Sequence, residues 1–368
     1  GKKLYITGKG RCNVTNNKPI EEFFENIVRN NKFLYSSLYT FSNLDLMNFL
    51  EKEGLRLKVE RGDRVFPISD KSSDVIKTFE KKLEKSNVNI KYNTEVHNVE
   101  KIDDIFYINT NKGIYEADYL LIATGGYSYK ATGSTGDGYK FAKHLGHKVS
   151  KIYPSLVGFS LDEDWTDELS GISLKNVELT MKIGKKEYRE FGDLLFTRNG
   201  ISGPIVLSLS SRVLGSKDVI LSLDLKPALT YEQLDNRLLR DFSNNSNKEI
   251  KTVLELLTIN KLVPIILKEA NIVTDKKINQ ITSEERNRLL HLFKNFPLKF
   301  QSTRDFNEAI ISAGGVDTKE INPSTMESKL VKNLYFAGEV IDVDALTGGY
   351  NLQIAFSTGY LAGISIGG

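Results

Sequence analysis

Hydrophobic residues follow different spacings in different parts of this chain. From Tyr231 to Phe296 leucines recur every three to four positions, as in "YEQLDNRLLRDF" and "TSEERNRLLHLFKNF". This spacing predicts amphipathic helices. From Ser150 to Leu225 short alternating runs such as "VELTMKIGKKEYREFGDLLFT" predict antiparallel strands, with a hairpin turn beginning at Gly184. The first 150 residues contain both the helical and the alternating pattern.

Within that mixed part, the pattern predicts one clear helix followed by strands. The stretch from Asp70 to Ser86 has Ser72 or Ser73 as its N-cap. One face of this helix is apolar, formed by Val75, Ile76, Phe79 and Leu83. The predicted strands are "VNIKY" (88–92), "EVHNVEKI" (95–102) and "DIFYINTNKGIYEA" (104–117), the last of which turns back at residues 111–113.

Glycine is unevenly distributed and marks three further segments. None of the 28 glycines lies between Ser216 and Ala313. The segments at 7–16, 122–138 and 336–353 each follow an apolar run that we interpret as a strand, and two of them lead into helices predicted to begin near Gly136 and Tyr350. Ligands bind at the carboxyl ends of parallel strands, where backbone amides and helix N-termini converge. Any one segment alone is more often a tight strand-to-helix turn, but three such segments together favour a ligand site.

The last of these segments contains groups suited to a flat ring with a polyol chain. Glu339 follows a strand and can accept hydrogen bonds from ribityl hydroxyls. Gly348 and Gly349 allow the main chain to approach a ring closely. The helix from about Tyr350 directs its free amides and positive dipole end at the same place, which would stabilise the anionic edge of a reduced isoalloxazine.

Composition excludes several classes of protein. The chain has 368 residues, of which 40% are hydrophobic, so two or three domains are expected. Its formal net charge of +3 is too small to indicate nucleic acid or membrane binding by bulk charge. A single cysteine, Cys12, excludes an internal disulfide framework. No apolar run approaches the roughly 20 residues of a membrane span, so we predict a cytoplasmic protein without a membrane partner.

Five motifs resemble those of the YhiN-like family of flavoproteins, also called BaiN-type or aminoacetone-oxidase-type FAD-binding proteins. They are "GKKLYITGKGRCNVTNN", "ATGGYSYKATGSTGDGYKFAKHLGH", "LLFTRNGISGPIVLSLSS", "ISAGGVDTKEINPSTMESK" and "LYFAGEVIDVDALTGGYNLQIAFSTGYLAG". The likeness covers essentially the whole chain in order. It implies an α/β fold with a Rossmann-like FAD domain of the two-dinucleotide-binding type, formed by residues 1–150 and 314–368. It also implies an inserted β-barrel-like domain (151–226 and 298–313) and a helical domain (227–297).

The resemblance departs from the family at the N-terminus. Family members open with a strand and a G-x-G-x-x-G turn that holds the FAD pyrophosphate, and this chain begins after that point. We expect further residues before Gly1. The alternative is a truncated domain that binds FAD poorly, and on either interpretation the chain starting at Gly1 is expected to be colourless when expressed alone.

The resemblance also implies a set of FAD-binding residues. In this numbering they are Gly8, Gly10, Arg11, Cys12, Asn13, Thr15, Val96, Ala123, Thr124, Gly125, Gly338, Glu339, Asp344, Gly349, Tyr350, Asn351, Leu352 and Gln353. Some of them have purely structural alternatives, namely a plain buried turn for residues 123–126 and a helix cap or an Asx-turn for Asn13 and Thr15. No metal site is predicted, because His144 and His147 lack a third ligand nearby.

The predicted reaction is reduction of an activated carbon–carbon double bond by FAD, with NAD(P)H as the expected electron donor. A proton donor is then required, and Cys12 is the leading candidate because Lys9 and Arg11 could tune its ionisation. Tyr350 and Tyr127 are the alternatives. The substrate is a small molecule or, by resemblance, uridine in ribosomal RNA. A flavin-binding or partner-binding protein without turnover is the remaining alternative.

Overall fold

The computed structural model describes residues 1–367. The chain folds into two compact units, Gly1–Ser155 with Phe306–Gly368, and Leu156–Asp305. We refer to them as the first and second units and describe each by itself. In the described residues no helix has the length and apolar character needed to cross a bilayer.

Twelve α-helices occur in the described residues. They are α1 Lys2–Ile6, α2 Ile20–Asn26, α3 Tyr35–Thr40, α4 Asn43–Lys52, α5 Ser72–Lys85, α6 Asp137–His144, α7 Pro204–Ser210, α8 Tyr231–Ser243, α9 Ile250–Leu254, α10 Val263–Glu269, α11 Ser283–Lys294 and α12 Tyr350–Ser365. Helix α8 begins with a capping box between Thr230 and Gln233, and α11 with one between Thr282 and Glu285.

Nineteen β-strands accompany these helices within residues 1–367. They are β1 Thr15–Asn16, β2 Ile27–Arg29, β3 Leu57–Glu60, β4 Arg64–Pro67, β5 Val96–Ile102, β6 Ile105–Thr110, β7 Gly113–Ala117, β8 Leu120–Ile122, β9 Tyr153–Ser155, β10 Phe159–Leu161, β11 Ser173–Ile183, β12 Lys186–Thr197, β13 Gly200–Ser202, β14 Val219–Asp224, β15 Phe296–Leu298, β16 Phe300–Thr303, β17 Ile311–Ala313, β18 Leu334–Phe336 and β19 Asp344–Ala345.

The first unit contains the parallel pairing expected of an α/β domain. Strand β18 pairs with β8 in parallel, with Phe336 opposite Ile122. Both strands therefore end at the same edge, where the second and third glycine segments begin. Strands β5, β6 and β7 form an antiparallel sheet, and β3 and β4 form a hairpin whose second strand pairs with β1. The core of this unit is built on the apolar strands β8 and β18 and on one side of α12.

The second unit is a seven-stranded antiparallel sheet covered by helices. Its strand order is β15-β14-β11-β12-β13-β10-β16, and the β11–β12 hairpin turns at Gly184 as the sequence predicts. Helix α8 buries Leu234, Leu238 and Phe242, which lie at four-residue spacing. These side chains belong to the same apolar cluster as Leu179 of β11. Sheet and helices therefore share one core.

Several sequence predictions need correction. The run before the first glycine segment is helix α1 and not a strand, and residues 88–92 form no strand. Each of these runs has only five residues, which is too short for the hydrophobic pattern to distinguish a helix from a strand. The unit boundaries fall at residues 155 and 305 instead of 150 and 313, because β17 pairs with β9 of the first unit. The helical segment 227–297 shares its core with the sheet and is not separate from it.

Candidate functional site

Both ends of the first unit line one cavity of about 460 Å³. One wall is the loop after α1, another is the β3–β4 hairpin, and a third is the segment that leads into α12. The lining residues are Gly8, Lys9, Arg11, Asn13, Asn16, Asn26, Gly62, Arg64, Phe66, Thr347, Gly348 and Tyr350. The first and third glycine segments therefore meet, although they lie at opposite ends of the chain.

Direct contacts hold these two segments together. The Thr15 hydroxyl donates to Gln353 Oε1 at 2.7 Å, and both side chains are buried. The Asn16 side-chain amide donates to the carbonyl of Gly348 at 3.1 Å. Gly349 has a φ of 100°, and a Cβ there would lie 2.4 Å from the carbonyl carbon of Thr15. Only glycine allows so close an approach in this left-handed conformation.

The N-terminus of α12 lies at the cavity. Helix α12 begins at Tyr350, which lines the cavity, and its N-cap Gly349 supplies no side-chain oxygen to the first turn. The free amides and positive dipole end of a 16-residue helix therefore face this region. The Tyr350 ring packs edge-on against Phe23, with the two centroids 4.9 Å apart. Burial raises the pKa of its hydroxyl, so this phenol is neutral near neutral pH.

Asn13 brings an unused acceptor to the same cavity. Asn13 is one of the lining residues, and its Oδ1 atom is buried without a hydrogen-bond partner in the structure. A buried acceptor left unsatisfied costs about 1–3 kcal/mol. Such an atom is suited to a ligand that carries an N–H or O–H donor.

Arg11 is held at the wall by two carboxylates. Its Nη2 donates to Glu60 and Asp70, and Nε donates to Asp70 at 2.8 Å. The hydrogen bonds to Glu60 and then Asp70 raise the pKa of the guanidinium. The guanidinium also lies over the Phe66 ring, 4.2 Å from its centroid. Its charge and one of its faces are therefore engaged within the protein.

Cys12 lies beneath the cavity wall and not in its lining. The side chain is fully buried in an apolar cluster with Val14, Leu46 and Val65. Burial raises the pKa of the thiol to about 12. The expectation that Lys9 and Arg11 tune this ionisation is wrong, because desolvation is the cause of the shift and Arg11 turns to its carboxylate partners. The thiol is therefore neutral near neutral pH.

The second glycine segment meets Glu339 at a separate cluster. Glu339 Oε1 accepts from the Ser312 amide at 2.8 Å, and Oε2 accepts from Lys3 Nζ at 2.7 Å. Lys3 also donates to the Ser128 hydroxyl at 2.8 Å. A Cβ on Gly126 would lie 2.6 Å from Glu339 Oε1, so this glycine lets the loop contact the acid. Both Glu339 oxygens are engaged in this structure.

Of the remaining predicted residues, three have side chains that bond within the protein. Asn351 bonds to both backbone groups of Ala345, which fixes the turn before α12. Gln353 is buried, and its amide nitrogen donates to the carbonyl of Phe41. Asp344 accepts from Arg29 Nε at 2.7 Å. The others lie outside the cavity lining, namely Gly10, Val96, Ala123, Thr124, Gly125, Gly338 and Leu352, together with the alternative acid Tyr127, which contacts Phe306.

Several residues of the cavity lining were not predicted from the sequence as ligand contacts. Lys9 and Asn16 stand inside the first glycine motif and could have been found there. The hairpin residues Gly62, Arg64 and Phe66, by contrast, reach the cavity only because β1 pairs with β4. Asn26 and Thr347 likewise carry no local signal.

Nearly the whole chain matches one family model. The model is described as the HI0933-like protein Rossmann domain, and it matches residues 1–365. This chain belongs to the HI0933-like family. The match confirms the resemblance stated from the five motifs, and it confirms the α/β, Rossmann-like fold class.

Curated members of this family align along nearly their full length. A ribosomal RNA dihydrouridine synthase from Haemophilus influenzae is 32% identical over 100% of this chain and 90% of its own length. A 3-dehydro-bile acid delta(4,6)-reductase from Clostridium scindens is 30% identical over 99% of this chain and 89% of its own. A ribosomal RNA dihydrouridine synthase from Escherichia coli is 30% identical over 98% of this chain and 88% of its own.

Proposed function

We propose that this HI0933-like protein is an FAD-dependent oxidoreductase that reduces a carbon–carbon double bond conjugated to a carbonyl, with electrons from NAD(P)H. The observation that carries the proposal is the cavity shared by both ends of the first unit. Its lining includes Asn13, whose buried Oδ1 has no partner, and Tyr350 at the N-terminus of α12.

These residues fit the polar edge of a flavin. The pyrimidine part of an isoalloxazine offers an N–H donor, which Asn13 Oδ1 lacks in this structure. The α12 N-terminus would stabilise negative charge on the same edge. Gly348 and Gly349 keep the backbone free of side chains beside it. Bound FAD would supply hydride transfer, and the protein would supply binding, orientation and the proton.

The proton must come from a group that is protonated near neutral pH and within reach of the substrate. Tyr350 and Cys12 are both neutral near neutral pH because burial raises their pKa values. Of the two, only Tyr350 lines the cavity. We therefore place Tyr350 first as the proton donor, ahead of Cys12, which had been the leading candidate from the sequence.

A second, narrower candidate is that the double bond belongs to uridine in ribosomal RNA. Two of the three relatives above carry this activity in their names, and the third is named as a reductase of a bile-acid skeleton. The uracil C5–C6 double bond is conjugated to the C4 carbonyl, so both names describe one reaction class. A flavin-binding protein without turnover remains the alternative.

Two measurements test the proposal. Anaerobic addition of NADH or NADPH to the flavin-loaded full-length protein should bleach the visible flavin band, and a flavin that never bleaches would favour a binding protein. Mass spectrometry of ribosomal RNA from a strain that lacks the gene should show a loss of dihydrouridine, restored by the wild-type gene. Unchanged dihydrouridine would eliminate the RNA substrate while leaving a small-molecule enone open.

A further inference from the structure

The charged side chains that line the cavity all have the same sign. Lys9, Arg11 and Arg64 line it, and none of its lining residues is aspartate or glutamate. A concave site lined by one sign of charge attracts ligands of the opposite sign. The cavity therefore favours a ligand that carries an anionic group.

Two of these three cations carry charge that the protein does not neutralise. Arg11 is neutralised by Glu60 and Asp70. Within residues 1–367, neither Lys9 nor Arg64 has a carboxylate within ion-pair distance, and Arg64 Nε donates to the backbone carbonyl of Arg61. Long cationic side chains left without carboxylate partners on a cavity wall are free to bind an anion.

The backbone fixes both positions. Arg64 opens β4 and lies opposite Asn16, whose side chain bonds to the carbonyls of Gly62 and Gly348. Lys9 adopts a left-handed conformation with φ of 59°, which is costly for a lysine. A lysine keeps this backbone conformation only where the surrounding loop holds it in place. The position from which the Lys9 side chain extends is therefore fixed.

We propose that Lys9 and Arg64 bind a phosphate group of a nucleotide ligand at the mouth of this cavity. The inference rests on the proposed function and narrows its substrate class, because a neutral enone would leave both charges unused. The phosphate has two possible sources, namely the nicotinamide dinucleotide donor and a uridine-containing RNA. The experiment below separates these sources.

The test compares two double variants of the full-length, flavin-loaded protein. K9N/R64Q removes both charges, and asparagine at position 9 tolerates the left-handed backbone. The control K2N/R56Q makes the same charge change at two exposed residues that do not line the cavity. The probes are NADH and NADPH, followed by saturation of flavin bleaching, and a short fluorescein-labelled uridine-rich RNA, followed by anisotropy at several salt concentrations.

We expect K9N/R64Q to weaken at least one probe about tenfold or more and to reduce the slope of log affinity against log salt by about one to two. Loss confined to the dinucleotides assigns the phosphate to the donor, and loss confined to RNA assigns it to the substrate. Unchanged affinity for every probe, or equal losses in the control, would overturn the inference.

Failure of this inference is distinguishable from failure of the proposed function. If the wild-type flavin does not bleach, the proposed oxidoreductase fails, whatever the two variants do. If it bleaches and K9N/R64Q binds every probe like the wild type, only the phosphate site fails. The Arg64→Lys variant adds a check, since it keeps the charge and should retain most of the affinity.

Discussion

At the scale of single residues, burial decides which candidate acids can act. Cys12 was attractive in the sequence because two cations flank it, but Arg11 bonds to Glu60 and Asp70, and the thiol is buried among aliphatic side chains. The Tyr350 ring packs against Phe23, and Tyr350 also lines the cavity. Sequence neighbours are therefore a poor guide to electrostatic neighbours in a loop with several left-handed residues.

Exchange of Tyr350 for phenylalanine should separate these two candidates. Tyr350→Phe keeps the packing against Phe23 and removes the hydroxyl, so we expect turnover to fall about 100-fold or more with flavin content unchanged. Cys12→Ala should leave turnover within about threefold. Because the pKa of Tyr350 is raised, its hydroxyl keeps its proton to a higher pH than an ordinary tyrosine does. The wild-type rate should therefore stay constant from neutral to mildly alkaline pH. Normal turnover in the phenylalanine variant, or its loss in Cys12→Ala with flavin retained, would restore the thiol as the donor.

At the scale of elements, the close contact between α12 and β1 determines the cavity. Gly349 touches the Thr15 backbone, Thr15 bonds to Gln353, and Gln353 in turn bonds to the loop before α4. The two glycine segments could be predicted as ligand-binding turns, because each combines glycine with an adjacent apolar run. Their direct contact could not be predicted, since it depends on pairing across the whole chain.

Replacement of Gly349 by alanine should disrupt this contact. Alanine would clash with the Thr15 carbonyl and adopt an unfavourable positive φ, so we expect a loss of about 2–3 kcal/mol in the free energy of unfolding together with weaker flavin binding. The control is Gly359→Ala in the same helix, where a Cβ meets no atom within 4 Å. That change should stabilise the protein by up to about 1 kcal/mol. Equal stability of the two variants in urea denaturation would refute the role given to Gly349.

At the scale of the whole molecule, the sequence predicted the fold class well and the unit boundaries less well. Long periodic segments such as α8 and α11 and the β11–β12 hairpin follow the predicted patterns, because their apolar faces pack on a core. Helix α5 also forms where predicted, with Val75 and Phe79 packed in the first unit, but its N-cap is Lys71 instead of Ser72 or Ser73, and Leu83 is exposed. The resemblance implied that the helical segment 227–297 is a separate domain, in agreement with its lack of glycine. Composition, however, does not reveal that Leu234 and Leu238 share a core with the strands.

The candidate site likewise contains residues that could be predicted from the sequence and residues that could not. Gly8, Arg11, Asn13 and Tyr350 were predicted and line the cavity, whereas Arg64 and Phe66 arrive through strand pairing. Side chains that reach a site from another element carry no motif of their own, so only the folded chain identifies them. That limitation applies to the proposed phosphate-binding pair as well, of which one member lies inside a motif and one outside.

The most direct test of the central claim is a crystal structure of the full-length protein with FAD bound. The account predicts that the isoalloxazine occupies the cavity between the loop after α1 and the start of α12, with a ring N–H donated to Asn13 Oδ1. An isoalloxazine bound elsewhere, with the N-terminus of α12 facing solvent, would contradict it.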